Sequence, residues 1–252
     1  MDDATKQSGK VAFHWQPNGR ILLFVVIFLP LTIFLGFWQL GRADEKQALL
    51  EESTLRQQSA PVALETVDLA AANQYRPVVA VGRFDNDHSV LLDNRVRRGQ
   101  AGYEVITPFQ LSPSGAWVMV NRGWIEANAS RNKLPDIDVV DGLITLNGYL
   151  YSSPGKPFTL GEEQWRSSWP QVLQNLDMPL LGEKLGIAVA PVSLRLQENS
   201  PAAYEVGWEV VNVQPQKHVG YAVQWFAMAV ALAILALFAN SNLSALMARR
   251  RR

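Results

Sequence analysis

Two long apolar runs, one near each end of the sequence, limit what this chain can fold into. From Val219 to Phe238 about twenty residues are apolar apart from one amide, Gln224. At roughly 1.5 Å per residue such a run makes a helix of about 30 Å, the thickness of a bilayer's hydrocarbon core. Ile21 to Leu40 forms a second run of similar length, with Pro30 in its middle and Trp38 and Gln39 at its far edge. It is too long for the core of a signal peptide, and no small-residue cleavage site follows it. Gly41-Arg42-Ala43-Asp44-Glu45-Lys46 instead continues as a charged helix. The run therefore reads as a retained anchor.

Charge sets the expected orientation. The whole chain is formally neutral, yet residues 1–20 net +1, residues 41–217 net −5, and Arg249 to Arg252 add +4. Residues 41–217 are too long a loop for their own charge to guide insertion, so the short basic flanks decide. The expected division is a cytoplasmic tail (1–20), a transmembrane helix (21–40), a periplasmic β-rich domain (41–217), a second transmembrane helix (219–238) and a basic cytoplasmic tail (239–252). His14 falls in the first tail and reads as solvated. No basic stripe suggests nucleic acid. With no cysteine, disulfides and thiolate metal sites are excluded.

Residues 41–217 are long enough for a core of their own. Ala43 to Gln58 extends the first helix until Ala60-Pro61 breaks it. From Tyr75 the pattern turns to strands. Arg76–Phe84 and Ser89–Val96 flank the turn residues Asp85-Asn86-Asp87-His88 and are expected to pair as a hairpin. Tyr103–Leu111 and Trp117–Ile125 flank Ser112-Pro113-Ser114-Gly115 and are expected to pair likewise. Leu143–Tyr151, Val192–Gln197 and Gly207–Val213 read as further strands. Trp165–Gly186 reads as a helix interrupted at Pro179. The fold class is a membrane protein, with two transmembrane helices bracketing an extracytoplasmic α+β domain built mainly on antiparallel β-strands.

Enzyme templates do not match: there is no G-x-S-x-G, no H-E-x-x-H and no P-loop. His88 reads as a solvated turn residue. Asp85, Asp87 and Asp93 read as hairpin polar residues, lacking calcium-loop spacing. Arg95, Arg97 and Arg98 read as a solvated strand end or as partners for carboxylates. Gly82, Gly102 and Gly123 suit bulges or close backbone approach. His218 stands at the edge of the second span, with Tyr221 and Trp225 at i+3 and i+7 on the same helix face. Spacing leaves two readings open. Aromatic rings gather at bilayer interfaces as anchors. A neutral imidazole is also an axial donor to haem iron, and aromatic faces can flank a macrocycle.

Five stretches in order carry a resemblance. They are G-F-W-Q-L-G-R-A-D-E-K (Gly36 to Lys46), Y-R-P-V-V-A-V-G-R-F-D (Tyr75 to Asp85), G-Y-E-V-I-T-P-F (Gly102 to Phe109), V-N-R-G-W-I (Val120 to Ile125) and H-V-G-Y-A-V-Q-W-F (His218 to Phe226). Together they resemble the Surfeit locus protein 1 family, bacterial members included, whose proteins assist assembly of haem-copper cytochrome c oxidase. The resemblance implies haem a as transient cargo, with His218 as ligand to the haem iron and Tyr221 and Trp225 beside it. It implies the oxidase's large subunit and the haem A synthesis machinery as partners, and no catalysis. A haem-independent chaperone that clasps an oxidase subunit through its periplasmic domain is the competing reading. A two-span sensor is disfavoured, because the short tails leave no output module.

The charge division makes a direct prediction. A reporter active only in the cytoplasm, fused after Arg252, is expected to work. A silent but expressed fusion refutes the orientation.

Overall fold

The structure is a computed structural model that describes residues 12–69, 74–128, 133–152, 165–211 and 213–250. In chain order its elements are α1 (Gly19–Gln57), β1 (Val62–Ala63), a 3₁₀ turn (Leu64–Thr66), β2 (Pro77–Phe84), β3 (Val90–Arg97), β4 (Gln100–Leu111), β5 (Trp117–Glu126), β6 (Ile144–Tyr151), β7 (Gln171–Leu173), α2 (Met178–Leu185), β8 (Val189–Leu196), α3 (Pro215–Ala239) and α4 (Leu243–Arg250). They divide into two units: residues 1–50 with 211–252, and residues 51–210.

The first unit is a pair of apolar helices, α1 and α3. Both are long and apolar enough to cross a membrane. Only 11% of the most apolar window of each is buried, which separates them from the core helices of a globular protein. Leu23, Val26, Phe34, Val223, Val230 and Leu235 all point outward. Asn18 caps α1, its side-chain oxygen accepting from the backbone N–H of Arg20 (3.1 Å). Pro30 lies within α1, which continues through it. Pro215 stands in the first turn of α3, where its missing N–H leaves nothing unpaired.

Residues 12–18 are exposed, as expected of the tail, but they are tied down. The Trp15–Ser241 bridge pairs them with the segment after α3. Asn240 Oδ1 accepts from Asn18 N–H (2.7 Å), and Asn242 Oδ1 accepts from His14 N–H (3.0 Å). Asn242 in turn donates to the carbonyl of Ala12 (2.9 Å). All three of Asn240, Ser241 and Asn242 are buried.

The second unit is a closed sheet. β4 pairs with β3 over its first part, and its last three residues pair with β2, from Gly82↔Leu111 to Phe84↔Phe109. The ring runs β2–β6–β8–β5–β4 and returns to β2. β1 lies beside β2, and β7 lies beyond β3. Inside are Val78, Ala80, Phe109, Val118, Val120, Leu146 and Leu194, all essentially inaccessible. A second cluster under β3 and α2 holds Val90, Ile106, Met119, Leu173 and Leu181.

β4 and β5 form the expected antiparallel pair, from Tyr103↔Ile125 to Gln110↔Trp117. β2 and β3 do not form the other hairpin; β2 takes β6 and the end of β4 as its main partners. The intervening turn is a corner: Asp85 N–H reaches the Pro108 carbonyl (2.9 Å), and Asn86 exchanges two hydrogen bonds with the backbone of Val140. The helix expected over Trp165–Gly186 shrinks to α2, because Gln171–Leu173 completes the open edge of β3 as a strand. Pro179 belongs to the first turn of α2, behind the cap Asp177, and interrupts nothing. The described residues of 207–213 form no strand, and nearby Glu205 makes an isolated bridge to Trp124. The sheet is antiparallel at most of its pairings but parallel at β1–β2, β3–β7 and β5–β8.

Closure depends on Gly82. A Cβ there would overlap the Gln110 carbonyl and lie 2.6 Å from the Phe109 ring. Gly82→Ala is therefore expected to lower stability by about 1–3 kcal/mol, the range for overpacking a tight core. Gly41→Ala, in open space on α1, is the control and gains up to about 1 kcal/mol from helix propensity. Thermal unfolding of the two variants beside wild type checks both signs.

Candidate functional site

His218 lies on the first turn of α3, partly buried. Its Nδ1 is 2.7 Å from the side-chain oxygen of Gln39 on α1. An amide oxygen only accepts, so Nδ1 carries the proton and Nε2 keeps its lone pair in the neutral ring. That Nε2 is buried and has no hydrogen-bond partner. A buried, oriented, unpartnered imidazole nitrogen fits a metal axial position, with Gln39 in the orienting role usual behind such ligands. The residues present thus supply one imidazole lone pair, the kind of donor an axial haem position takes.

Helix packing fixes that geometry. α1 and α3 run antiparallel, since Asn18 meets Asn240 at one end and Gln39 meets His218 at the other. Between them Gly36 lies against Phe226, where a Cβ would come 2.6 Å from the ring. Phe37 meets the same ring edge to face at 5.2 Å. The stretch Gly36 to Lys46 thus lies beside His218, as two antiparallel helices require. Tyr221 is half exposed and Trp225 half-buried. They share the His218 helix face by spacing, but no ring contact joins them to the imidazole among the described residues. Close by, Ala43, Asp44, Gln47, Pro215, Gln216 and Val219 line a cavity of about 310 Å³.

The other candidates divide differently. His88 is not simply solvated: its Nδ1 is 2.7 Å from Asp85, and its ring meets Trp169 edge on at 4.9 Å. Arg97 and Arg98 both reach Glu205, at 3.7 and 3.3 Å. Arg95 lies 3.7 Å from Glu104. The chain's own carboxylates therefore occupy these cations. In V-N-R-G-W-I, Arg122 is the extra residue of a bulge, since Val105 pairs with Gly123 and Ile106 with Asn121. Gly123 has φ +114°. Arg122 is almost inaccessible and donates to the carbonyls of Ala202 and Asp138 (3.0 and 2.9 Å). Its guanidinium sits 4.8 Å from the centre of the Tyr204 ring. Burial pushes its pKa below the usual guanidinium range. The motif is a structural device of the barrel.

One site was not expected. A cavity of about 380 Å³ opens in the β-rich unit among Arg95, Glu104, Asn121, Tyr151, Asp177 and Arg195. The parallel register Asn121↔Arg195 brings β8 to the acidic end of this cluster. Asn121 donates to Glu104 at 2.7 Å. The one available signal was a lone arginine between Leu194 and Leu196.

The sequence profile of the SURF1 family matches residues 26–230. Surfeit locus protein 1 of Rattus norvegicus is 24% identical over 241 residues, spanning 86% of this chain and 75% of that protein. The human protein of the same name is 25% identical over 236 residues, spanning 86% and 77%. An uncharacterised SURF1-like protein of Mycobacterium tuberculosis H37Rv is 26% identical over 244 residues, spanning 94% and 89%. The profile match starts within the first apolar helix, takes in the β-rich unit and ends within the second helix, and on that extent this chain belongs to the SURF1 family.

Proposed function

We propose that this chain is a membrane-anchored assembly factor for haem-copper cytochrome c oxidase that holds haem a as transient cargo and helps deliver it to the large oxidase subunit. Family membership supports the assembly role. The observation that carries the cargo reading is the buried His218 Nε2, oriented by Gln39 and without a partner. His218 offers the lone pair to the iron. Gln39 holds the ring's tautomer and direction. Tyr221 and Trp225 give the same helix face an aromatic lining. A single imidazole suits release, because the oxidase subunit can supply the competing donor. Transfer of this kind makes and breaks coordination bonds only, so the protein acts as a carrier and not as an enzyme.

The outward apolar side chains of α1 and α3 support lipid contact. We place the spans at 21–40 and 219–238, both termini in the cytoplasm, and residues 41–217 in the periplasm of a bacterial inner membrane. Family membership is the ground for proposing the large oxidase subunit and the haem A synthesis machinery as partners.

Purified protein made with haem A available tests the reading. His218→Ala is expected to lose most bound haem and to alter the visible spectrum, since alanine supplies no axial lone pair. Tyr221→Phe should keep the spectrum's form. Gln39→Leu should weaken haem retention about 10- to 100-fold, the usual effect of removing a ligand's orienting partner, while leaving an imidazole-ligated spectrum. Equal haem content and unchanged bands in His218→Ala would remove His218 from the site and leave the haem-independent chaperone.

A further inference from the structure

We propose that the β-rich unit carries a second binding site, for a small organic monocarboxylate with an apolar body, in the cavity closed by Arg195. The site lies wholly within residues 51–210 and does not depend on the haem reading.

Arg195 is the reason. Its guanidinium carbon lies 3.3 Å from the centre of the Tyr151 ring and 4.9 Å from that of Trp208. Two aromatic rings pack against the guanidinium. Its Nε is buried and has no hydrogen-bond partner. Among the described residues no carboxylate comes within ion-pair distance of it. Burial pushes its pKa below the usual guanidinium range, and Tyr151, which also accepts a hydrogen bond from it, opposes this together with Glu104 and Tyr75. Arg195 is partly enclosed and no described carboxylate touches it directly, so an anion that pairs with its edge gains a contact the lining acids do not make.

The neighbouring acids are already engaged. Glu104 accepts from Asn121 (2.7 Å) and lies 3.7 Å from Arg95. Asp177 caps α2 by accepting from the N–H of Leu180 (3.0 Å). Arg95 and Arg195 are thus balanced by two carboxylates in the lining. A dianion such as phosphate would meet both acids. A single carboxylate aimed at the guanidinium edge would pair with Arg195 in the bidentate manner. Leu92, Leu176, Met178 and Pro191 supply an apolar wall for the rest of the molecule. The volume of about 380 Å³ falls within the range of about 300–1,000 Å³ typical of small-molecule sites.

Calorimetric titration of the full chain in detergent tests the site with three probes: 3-phenylpropionate, its neutral amide and inorganic phosphate. The expected result is one-site binding of 3-phenylpropionate, at least tenfold tighter than the amide, with phosphate not saturating. Arg195→Gln should weaken the carboxylate tenfold or more. Pro191→Trp, at the exposed rim, should block binding with the guanidinium still present. It decides the matter if Arg195→Gln fails to fold. Equal affinity for acid and amide overturns the proposal. So does saturation by phosphate without saturation by carboxylate, absence of binding at millimolar concentration, or wild-type affinity in Pro191→Trp or in folded Arg195→Gln.

Discussion

The β-rich unit depends on β4 keeping two partners along one edge. Its first residues bind β3 and its last three bind β2. That change of partner turns an open sheet into a ring and removes the free edge that β2 and β4 would otherwise present. Gly82 permits the approach and Phe109 fills the interior beside it. The Arg122 bulge on β5 adds local bending opposite the same strand. Its buried charge is satisfied by backbone carbonyls from two separate segments, so the ring is tied internally as well as around its wall.

Closure also decides what meets what. β8 enters the ring between β6 and β5, antiparallel to one and parallel to the other. The parallel register sets Arg195 opposite Asn121, and Asn121 is already bound to Glu104. A charged cluster therefore forms where β8 joins the β4–β5 hairpin from far along the chain. The helix pair achieves a similar long-range meeting with fewer parts: His218 and Gln39 lie 179 positions apart.

Much of the architecture was legible locally, and the reasons for the remainder are physical. The two apolar helices follow from length and composition. β4, β5, β6 and β8 follow from short strand-forming runs bounded by turn residues. The β2–β3 pairing was misread because turn chemistry specifies a change of direction and not a partner; Asn86 spends its amide on Val140 instead. Val172, Leu173 and Leu176 fit a helix face or a short strand equally well, and only the open edge of β3 selects the strand. His218 was visible as a residue and as a matched motif. Its orientation was not, because that belongs to Gln39. Arg195 gave no local signal beyond an odd charge in an apolar strand, since its surroundings come from β6 and from Trp208.

The asparagine clasp at the chain's two ends has a metrical consequence. Asn18 and Asn240 fix the zero point from which both helices are measured. From there to Gln39 is about 32 Å of helix, and from there to His218 about 33 Å. The two residues arrive level because the two lengths agree. A deletion of one residue in either span would drop one of them by about 1.5 Å and rotate it by about 100°, enough to part a 2.7 Å hydrogen bond. The pair of helices thus works as a gauge, in which residue count on each side sets the height and heading of the imidazole.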